Sequence, residues 1–286
     1  MGVSPSAISK RIARLEGDLG VALFNRTTRK LVLSDVGREF YDRCARSLTG
    51  IDEAVQLTSR MRGTASGLLR VKVPQAFGRL HIAPSIPEFM ACYPDIEVDL
   101  TFGWLQSNLM EERIDVLVAS TDPPDANISV KAIASIKRVT CAAPSYIERF
   151  GRPSSVEELA RHNCLMFAGS GSVEDEWVLH EKKRVRRIKV SGTFRTNDAE
   201  AIHMAVLGGV GIAHMPTFLV GPSLASGRLV PLFTDANSSN GASMKVYYPP
   251  AKHRLPKVQV FVDFLMAQFK SRSWPTGLAR TQGRKP

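Results

Sequence analysis

The sequence is poor in the residues that build catalytic and metal centres, and those present are scattered. Its four cysteines, Cys44, Cys92, Cys141 and Cys164, stand far apart with no C-x-x-C pair. That argues against a disulfide framework and fits reduced thiols in the cytoplasm. A redox pair of Cys141 and Cys164 would rest on spacing alone, and buried free cysteines are ordinary. The six histidines form no H-E-x-x-H. His162-x-Cys164 is a single pair lacking the further ligands that zinc requires. No G-x-S-x-G occurs, and carboxylate pairs such as Glu111-Glu112 read as solvated helix faces. Gly208-Gly209-x-Gly211 follows a helical pattern, so it reads as a helix cap entering a buried strand and not as a dinucleotide loop. No enzymatic activity, cofactor or metal is expected.

Long apolar runs are lacking too. The most apolar segment, Ala201 to Val220, is broken by His203, His214, Pro216 and the glycine cluster. A helix, a turn and a buried strand are expected there, with no membrane span. Met1 leads directly into a helix cap, without a signal peptide pattern. Acid is missing from Lys270 to Pro286, and residues 271–286 are expected to be a disordered basic tail.

What is present is a positive balance. Of 286 residues, 38 are Lys or Arg and 27 are Asp or Glu, a net charge of +11. This favours a polyanionic partner. An apolar fraction of 44% and a charged fraction of 23% are those of a globular protein, and the length suits about two domains. A basic cluster over residues 182–189 alternates with Val185 and Ile188, so it reads as a strand edge protected by cations.

The cationic residues near the beginning have a more specific arrangement. Ser4 suits an N-cap and Pro5 the first helical position. Ile8, Ile12, Leu15 and Leu19 recur at helical spacing and mark an apolar stripe. Opposite them lie Pro5, Ser6, Ser9, Lys10 and Arg14, small or basic residues suited to a DNA groove. Gly20 ends the helix and Val21 to Phe24 re-enters a small core. A polar cationic tip carrying Arg26, Thr27 and Arg29 then precedes the strand-like Leu31-Val32-Leu33. A basic hairpin beside a groove-reading helix describes a winged helix-turn-helix.

These residues resemble the DNA-binding head of LysR-type transcriptional regulators. The wing motif stands here as Leu23-Phe24-Asn25-Arg26-Thr27-Thr28-Arg29, followed by Ser34-Asp35-Val36-Gly37. The resemblance implies binding to double-stranded promoter DNA. That family places two helices before the recognition helix, about 25 residues by ordinary helix lengths. The head, residues 1–34, is therefore expected to be N-terminally truncated, with its stripe partly exposed and its DNA binding weak.

From Ser34 a long helix is expected to about Arg62. Val36, Phe40, Cys44, Leu48, Ile51 and Val55 form a seam for a partner helix. Residues 35–62 read as a dimerisation linker, or alternatively as a helix packed on its own domain. Gly63 to Gly67 is a hinge.

Beyond the hinge, strands and helices alternate. Strands are expected at Leu68–Val73, Ile96–Phe102 and Asp115–Ala119, with helices at Gly78–Tyr93 and Leu105–Glu112. A second unit should contain strands Val139–Ala142, Cys164–Phe167, Ile188–Phe194, Val210–His214 and Arg228–Phe233. Its helices are expected at Ser145–Phe150, Val156–Arg161 and Asp198–Leu207. Strand Met244–Tyr248 and helix Pro256–Phe269 return the chain to the first unit. The expected fold class is α/β, a mostly parallel sheet with helices on its faces, behind a helix-rich head. Ala143-Pro144-Ser145-Tyr146, Asn197-Asp198-Ala199-Glu200-Ala201 and Gly208 to Ala213 also resemble the effector-binding domain of the same family. This implies a periplasmic-binding-protein-like domain over residues 68–270. One subdomain would comprise 68–137 with 242–270, the other 138–241. Ala119-Ser120-Thr121-Asp122 departs from the A-I-R common in that family.

A cleft between two such subdomains is the place for a small-molecule effector. Candidate lining residues are Gln75, Ala76, Phe77, Gly103, Trp104, Asn197, His214 and Met215. Phe77 and Trp104 could equally be core, and Asn197 a plain helix cap. The reading is a cytoplasmic LysR-type regulator, a homodimer or homotetramer, controlled by an effector. The alternative is a stand-alone ligand-binding or dimerising module with a non-functional head.

Overall fold

The structure is a computed structural model that describes residues 5–26, 31–41, 43–44, 47, 65–105, 107–124, 128–169, 173–181, 184–233, 243–253 and 255–270. The chain divides into two compact units, residues 1–62 and 63–286. Ser4, Thr27, Arg29, Leu48, Ile51, Val55, most of the hinge and the basic tail lie outside the described residues.

In the first unit, helix Pro5–Leu19 stops at Gly20, whose φ of 69° lies in the left-handed region. Strand β1 (Phe24–Arg26) pairs antiparallel with β2 (Leu31–Leu33), Phe24 opposite Leu33. Helical backbone resumes over residues 35–41. Two polar joints hold these pieces together. Glu16 Oε1 accepts the N–H groups of Leu23 (2.8 Å) and Phe24 (3.0 Å), fixing the helix to the hairpin. Ser34 Oγ donates to the Ala22 carbonyl at 2.7 Å and accepts from the Gly37 N–H at 2.9 Å, capping the following helix. A β-carbon on residue 37 would lie 1.9 Å from the Leu23 carbonyl oxygen. The Ser-x-x-Gly spacing is therefore a packing requirement. Ile12 is half-buried, whereas Ile8, Leu15 and Leu19 are 48%, 38% and 42% exposed.

The second unit is built on two main sheets. The first has five strands, in the order Ile96–Phe102 (β4), Gly67–Val73 (β3), Val116–Ala119 (β5), Ser243–Tyr248 (β14) and Ser129–Ser135 (β6). Strand β3 (Gly67–Val73) runs parallel to β4 (Ile96–Phe102) and β5 (Val116–Ala119). Strand β14 (Ser243–Tyr248) lies antiparallel between β5 and β6 (Ser129–Ser135). Leu69, Val71, Val116 and Val118 pack with Phe89, Phe261 and Leu265 in one core, which brings helix Pro256–Lys270 back onto this sheet.

In the second sheet, β7 (Arg138–Ala142) is flanked by β12 (Ile212–Pro216) and β13 (Val230–Leu232), both antiparallel to it. Short β8 (Met166–Phe167) and β11 (Arg195–Thr196) pair in parallel, and β9 (Glu176–Glu181) forms a hairpin with β10 (Arg184–Lys189). The two sheets are mixed and antiparallel respectively, which corrects the expectation of a mostly parallel arrangement. Strands added antiparallel to a neighbour, as β14 is beside β5 and β6 and β13 beside β7, do not need the helical crossover of a parallel pair.

Three other expectations are corrected. The helix expected over Gly78–Tyr93 is a π turn at Gly78–Ile82, a 3-10 turn at Ala83–Ser85 and a helix only over Ile86–Cys92. Pro84 and Pro87 lack the N–H groups an unbroken helix would use. Leu105–Glu112 is not a helix in its described residues but a series of turns. Asn108 Oδ1 takes the N–H groups of Met110 and Glu111 at 3.1 and 2.9 Å, diverting the backbone into a local turn. The strand expected over Ile188–Phe194 ends at Lys189. Elsewhere, helix Ala199–Leu207 passes through Gly209 (φ 71°) into β12. There a β-carbon on Gly211 would meet the Asn163 carbonyl oxygen at 2.3 Å. Among the described residues, no helix is long and apolar enough to cross a membrane.

Candidate ligand cleft and nucleic-acid interface

On helix Pro5–Leu19 the small and basic face is displayed as the spacing requires: Ser6, Ser9, Lys10 and Arg14 are all exposed. Pro5 opens the helix and Arg26 closes β1. The second basic cluster is a hairpin whose cations meet carboxylates: Arg187 pairs with Glu176 at 2.8 Å, and Arg186 with Glu157. That arrangement fits a solvated sheet edge.

A cavity of about 140 Å³ opens between the two sheets of the second unit. Gln75, Ala76, Phe77, Trp104 and Ser120 line it from the ends of β3, β4 and β5, together with Phe218 and Met244. Arg138 and Pro216 line it from the second sheet, with Phe167 of β8, Glu174 before β9, and Asn197 and Ala199 at the start of the helix after β11. The rings of Trp104 and Phe167 come within 6.0 Å across it. The structure thus brings Gln75, Ala76, Phe77, Trp104 and Asn197 to one cavity. Phe77 is mainly core: it is 1% exposed and packs on Phe218 and Phe269 at 5.3 and 5.5 Å between ring centres. Asn197 is exposed at the cavity, and the cap of the following helix is Asp198, which accepts from Glu200 and Ala201.

Gly103, His214 and Met215 do not line this cavity. His214 and Met215 face a smaller one of about 20 Å³, which shares Arg138, Phe167, Glu174, Ala199 and Pro216 with the first. His214 is buried, with Nδ1 3.0 Å from Thr140 Oγ1 and its ring 5.9 Å from that of Trp177. Burial, with Arg138 nearby, holds its imidazole pKa well below the usual value, so it is neutral. The Arg138 guanidinium, through Nη2, donates to the His214 carbonyl oxygen at 2.9 Å and to Glu174 at 3.0 Å. Nothing in the local sequence marks Arg138, Glu174 or Phe167 as cavity residues. Arg138 opens a strand at a point where a cation reads as an ordinary edge residue, and only the fold shows that it faces a cleft.

At one edge of the cleft, Arg79 pairs with Glu200 and lies 3.5 Å from Asp198, joining the turn after β3 to the helix that follows β11. Cys141 and Cys164 are both free and belong to different core clusters, and burial pushes each thiol up to about 12. His162 Nδ1 lies 3.1 Å from the Tyr146 hydroxyl. Among the described residues, no group of three or more His, Cys, Asp and Glu side chains is placed to hold a metal ion.

A helix with a small, basic outer face, a hairpin behind it, and a separate two-sheet unit with an internal cavity define a ligand-responsive DNA-binding regulator. The profile of the bacterial regulatory helix-turn-helix protein, lysR family, matches residues 1–38, and that of the LysR substrate binding domain matches residues 62–270. The chain belongs to the LysR family of transcriptional regulators. It is 32% identical over 273 residues to the transcriptional activator TtdR of Escherichia coli K12, covering 95% of this chain and 87% of that protein. Among solved structures, CrgA, a LysR-type transcriptional regulator from Neisseria meningitidis, has a TM-score of 0.66 at 29% identity, covering 93% of this chain and 90% of that one. The Vibrio cholerae virulence activator AphB has a TM-score of 0.68 at 26% identity, with the same coverage. Regulators of this family are not enzymes; they bind DNA and small-molecule effectors and form oligomers. Both parts of such a regulator are present here, which favours that reading over a stand-alone module.

Proposed function

We propose that the cavity between the two sheets is the effector site, and that its occupant controls how residues 1–34 engage promoter DNA. The observation that carries this is the cavity flanked by Trp104, which follows β4, and Phe167 of β8, whose ring centres lie 6.0 Å apart. A ligand seated between two sheets contacts both, so it favours one arrangement of them over another. Gln75, Ala76, Phe77, Trp104 and Asn197 are its walls. On the DNA side, Ser6, Ser9 and Pro5 approach the groove, while Lys10, Arg14, Arg26, Thr27 and Arg29 face phosphate. Residues 35–62 pair two chains through Val36, Phe40, Leu48, Ile51 and Val55. Residues 68–270 hold the effector, divided as 68–137 with 242–270, and 138–241. The protein works in the cytoplasm, where its DNA is.

The test is footprinting of the full chain on DNA flanking its own gene, with and without a library of small metabolites. At least one compound should change the footprint, and Ser120→Phe, which fills the cavity, should abolish that response while leaving the basal footprint. A response unchanged in Ser120→Phe would move the effector site elsewhere.

A further inference from the structure

The large cavity is walled mainly by apolar and uncharged side chains, and its charged lining residues are Arg138 and Glu174. These two stand on the partition between the large cavity and the small one, lining both. Arg138 is incompletely satisfied. Among the described residues its Nη2 carries both of its hydrogen bonds, to Glu174 and to the His214 carbonyl, while its buried Nε meets no acceptor. A guanidinium presents its donors as a fork that matches a carboxylate in two parallel bonds. Glu174 uses this fork at a single nitrogen, and its own side chain is 44% exposed. It can rotate into water at little cost, because half-exposed ion pairs are weak.

We propose that the effector is a small organic anion whose carboxylate-like group takes Arg138 from Glu174, so that Glu174 is a built-in competitor occupying the anion's place in the empty protein. This rests on the reading of the cavity as the effector site and names the chemistry of that site. An incoming anion supplies the missing acceptor to Nε, and Glu174 leaves for solvent. As the pair forms part of the wall between the two cavities, its parting also joins the large cavity to the smaller space beside His214 and Trp177. That imidazole is neutral and does not add a second cation, so a group with one negative charge matches the site. The apolar remainder of the molecule lies against Trp104 and Phe167.

The probes are benzoate, butyrate and succinate, each beside its neutral amide, with binding to the full-length chain read by thermal shift and calorimetry. At least one acid should bind and its amide should not. Arg138→Gln should weaken the acid by about tenfold or more, the loss of a charge-assisted pair. Glu174→Gln should tighten the same acid by several fold, a gain that misfolding cannot imitate. Ser120→Phe should remove binding altogether. Failure of every acid to bind, equal binding of acid and amide, or unchanged affinity in both Arg138→Gln and Glu174→Gln would overturn the proposal. If acid and amide bind alike and Ser120→Phe removes both, the charge assignment fails while the effector site stands. Binding that survives Ser120→Phe removes the site itself.

Discussion

Asp115 shows how single residues hold the second unit in shape. Its carboxylate accepts from Lys252 at 2.7 Å, from Lys257 at 3.2 Å and from the Arg70 N–H at 3.0 Å, and all three charged side chains are nearly excluded from solvent. Lys257 also donates to the Leu68 carbonyl, so the cluster ties the returning helix to β3. Burial alone would raise the carboxyl pKa; the two ammonium groups and the backbone donor outweigh it and hold it below the ordinary range. Asp115→Asn would leave two buried ammonium groups without their counter-charge. It should cost about 3–5 kcal/mol in urea unfolding followed by circular dichroism. Because the folded carboxyl is the stronger acid, this stabilisation is complete above the ordinary carboxylate range and fades as pH falls below it. His214 acts in the same direction at higher pH. Its folded imidazole resists the proton that the unfolded chain accepts, so stability is complete above about pH 6.5 and declines below it. His203, depressed by burial and by Arg228, adds in the same direction. The melting temperature should fall between about pH 7 and pH 5, and His214→Gln should flatten that slope. A pH-independent melting temperature in the unaltered protein would show that these imidazoles are solvated.

At the scale of elements, much was legible where local chemistry dictates the backbone. The proline opening of helix Pro5–Leu19, the glycine that stops it and the hairpin that follows were each specified by neighbouring residues. So were β3, β4 and helix Pro256–Lys270, whose apolar spacing matches their buried faces. What failed was governed by longer-range effects. Strand β6 carries Ser129, Lys131 and Ser135, residues that read as loop, and is a strand because β14 pairs with it. Helical spacing over Leu105–Glu112 was overruled by one Asn108 side chain. The cavity was located through the turn after β3 and through Trp104. Its charged partition was missed because Arg138 and Glu174 are 36 residues apart and only the fold joins them. The wing makes a quantitative claim about the other unit. If Arg26 and Arg29 each neutralise one phosphate, changing both to alanine should reduce the slope of log affinity against log salt by about two units. An equilibrium titration over a range of salt concentrations would measure it, and an unchanged slope would mean that the hairpin does not reach the backbone.

For the molecule as a whole, three functions share one chain: groove recognition, pairing of two chains and capture of a ligand. They are linked thermodynamically, since an effector that changes DNA affinity must have its own affinity changed by DNA to the same factor. Pairing enters because two heads on one dimer meet two half-sites, and the second contact is made at the high effective concentration the first provides. The seam Val36, Phe40, Leu48, Ile51 and Val55 is therefore testable separately from both ends. Leu48→Asp would put an unpaired carboxylate into an apolar interface, a cost of several kcal/mol that two helices in contact cannot recover elsewhere. Light scattering should then report monomers. Affinity for a two-site operator should fall by about 100-fold or more, while affinity for an isolated half-site and for the cavity ligand should be nearly unchanged. A variant that remains dimeric would place the interface outside residues 35–62. A monomer that still binds the full operator as tightly as the parent would show that one head suffices.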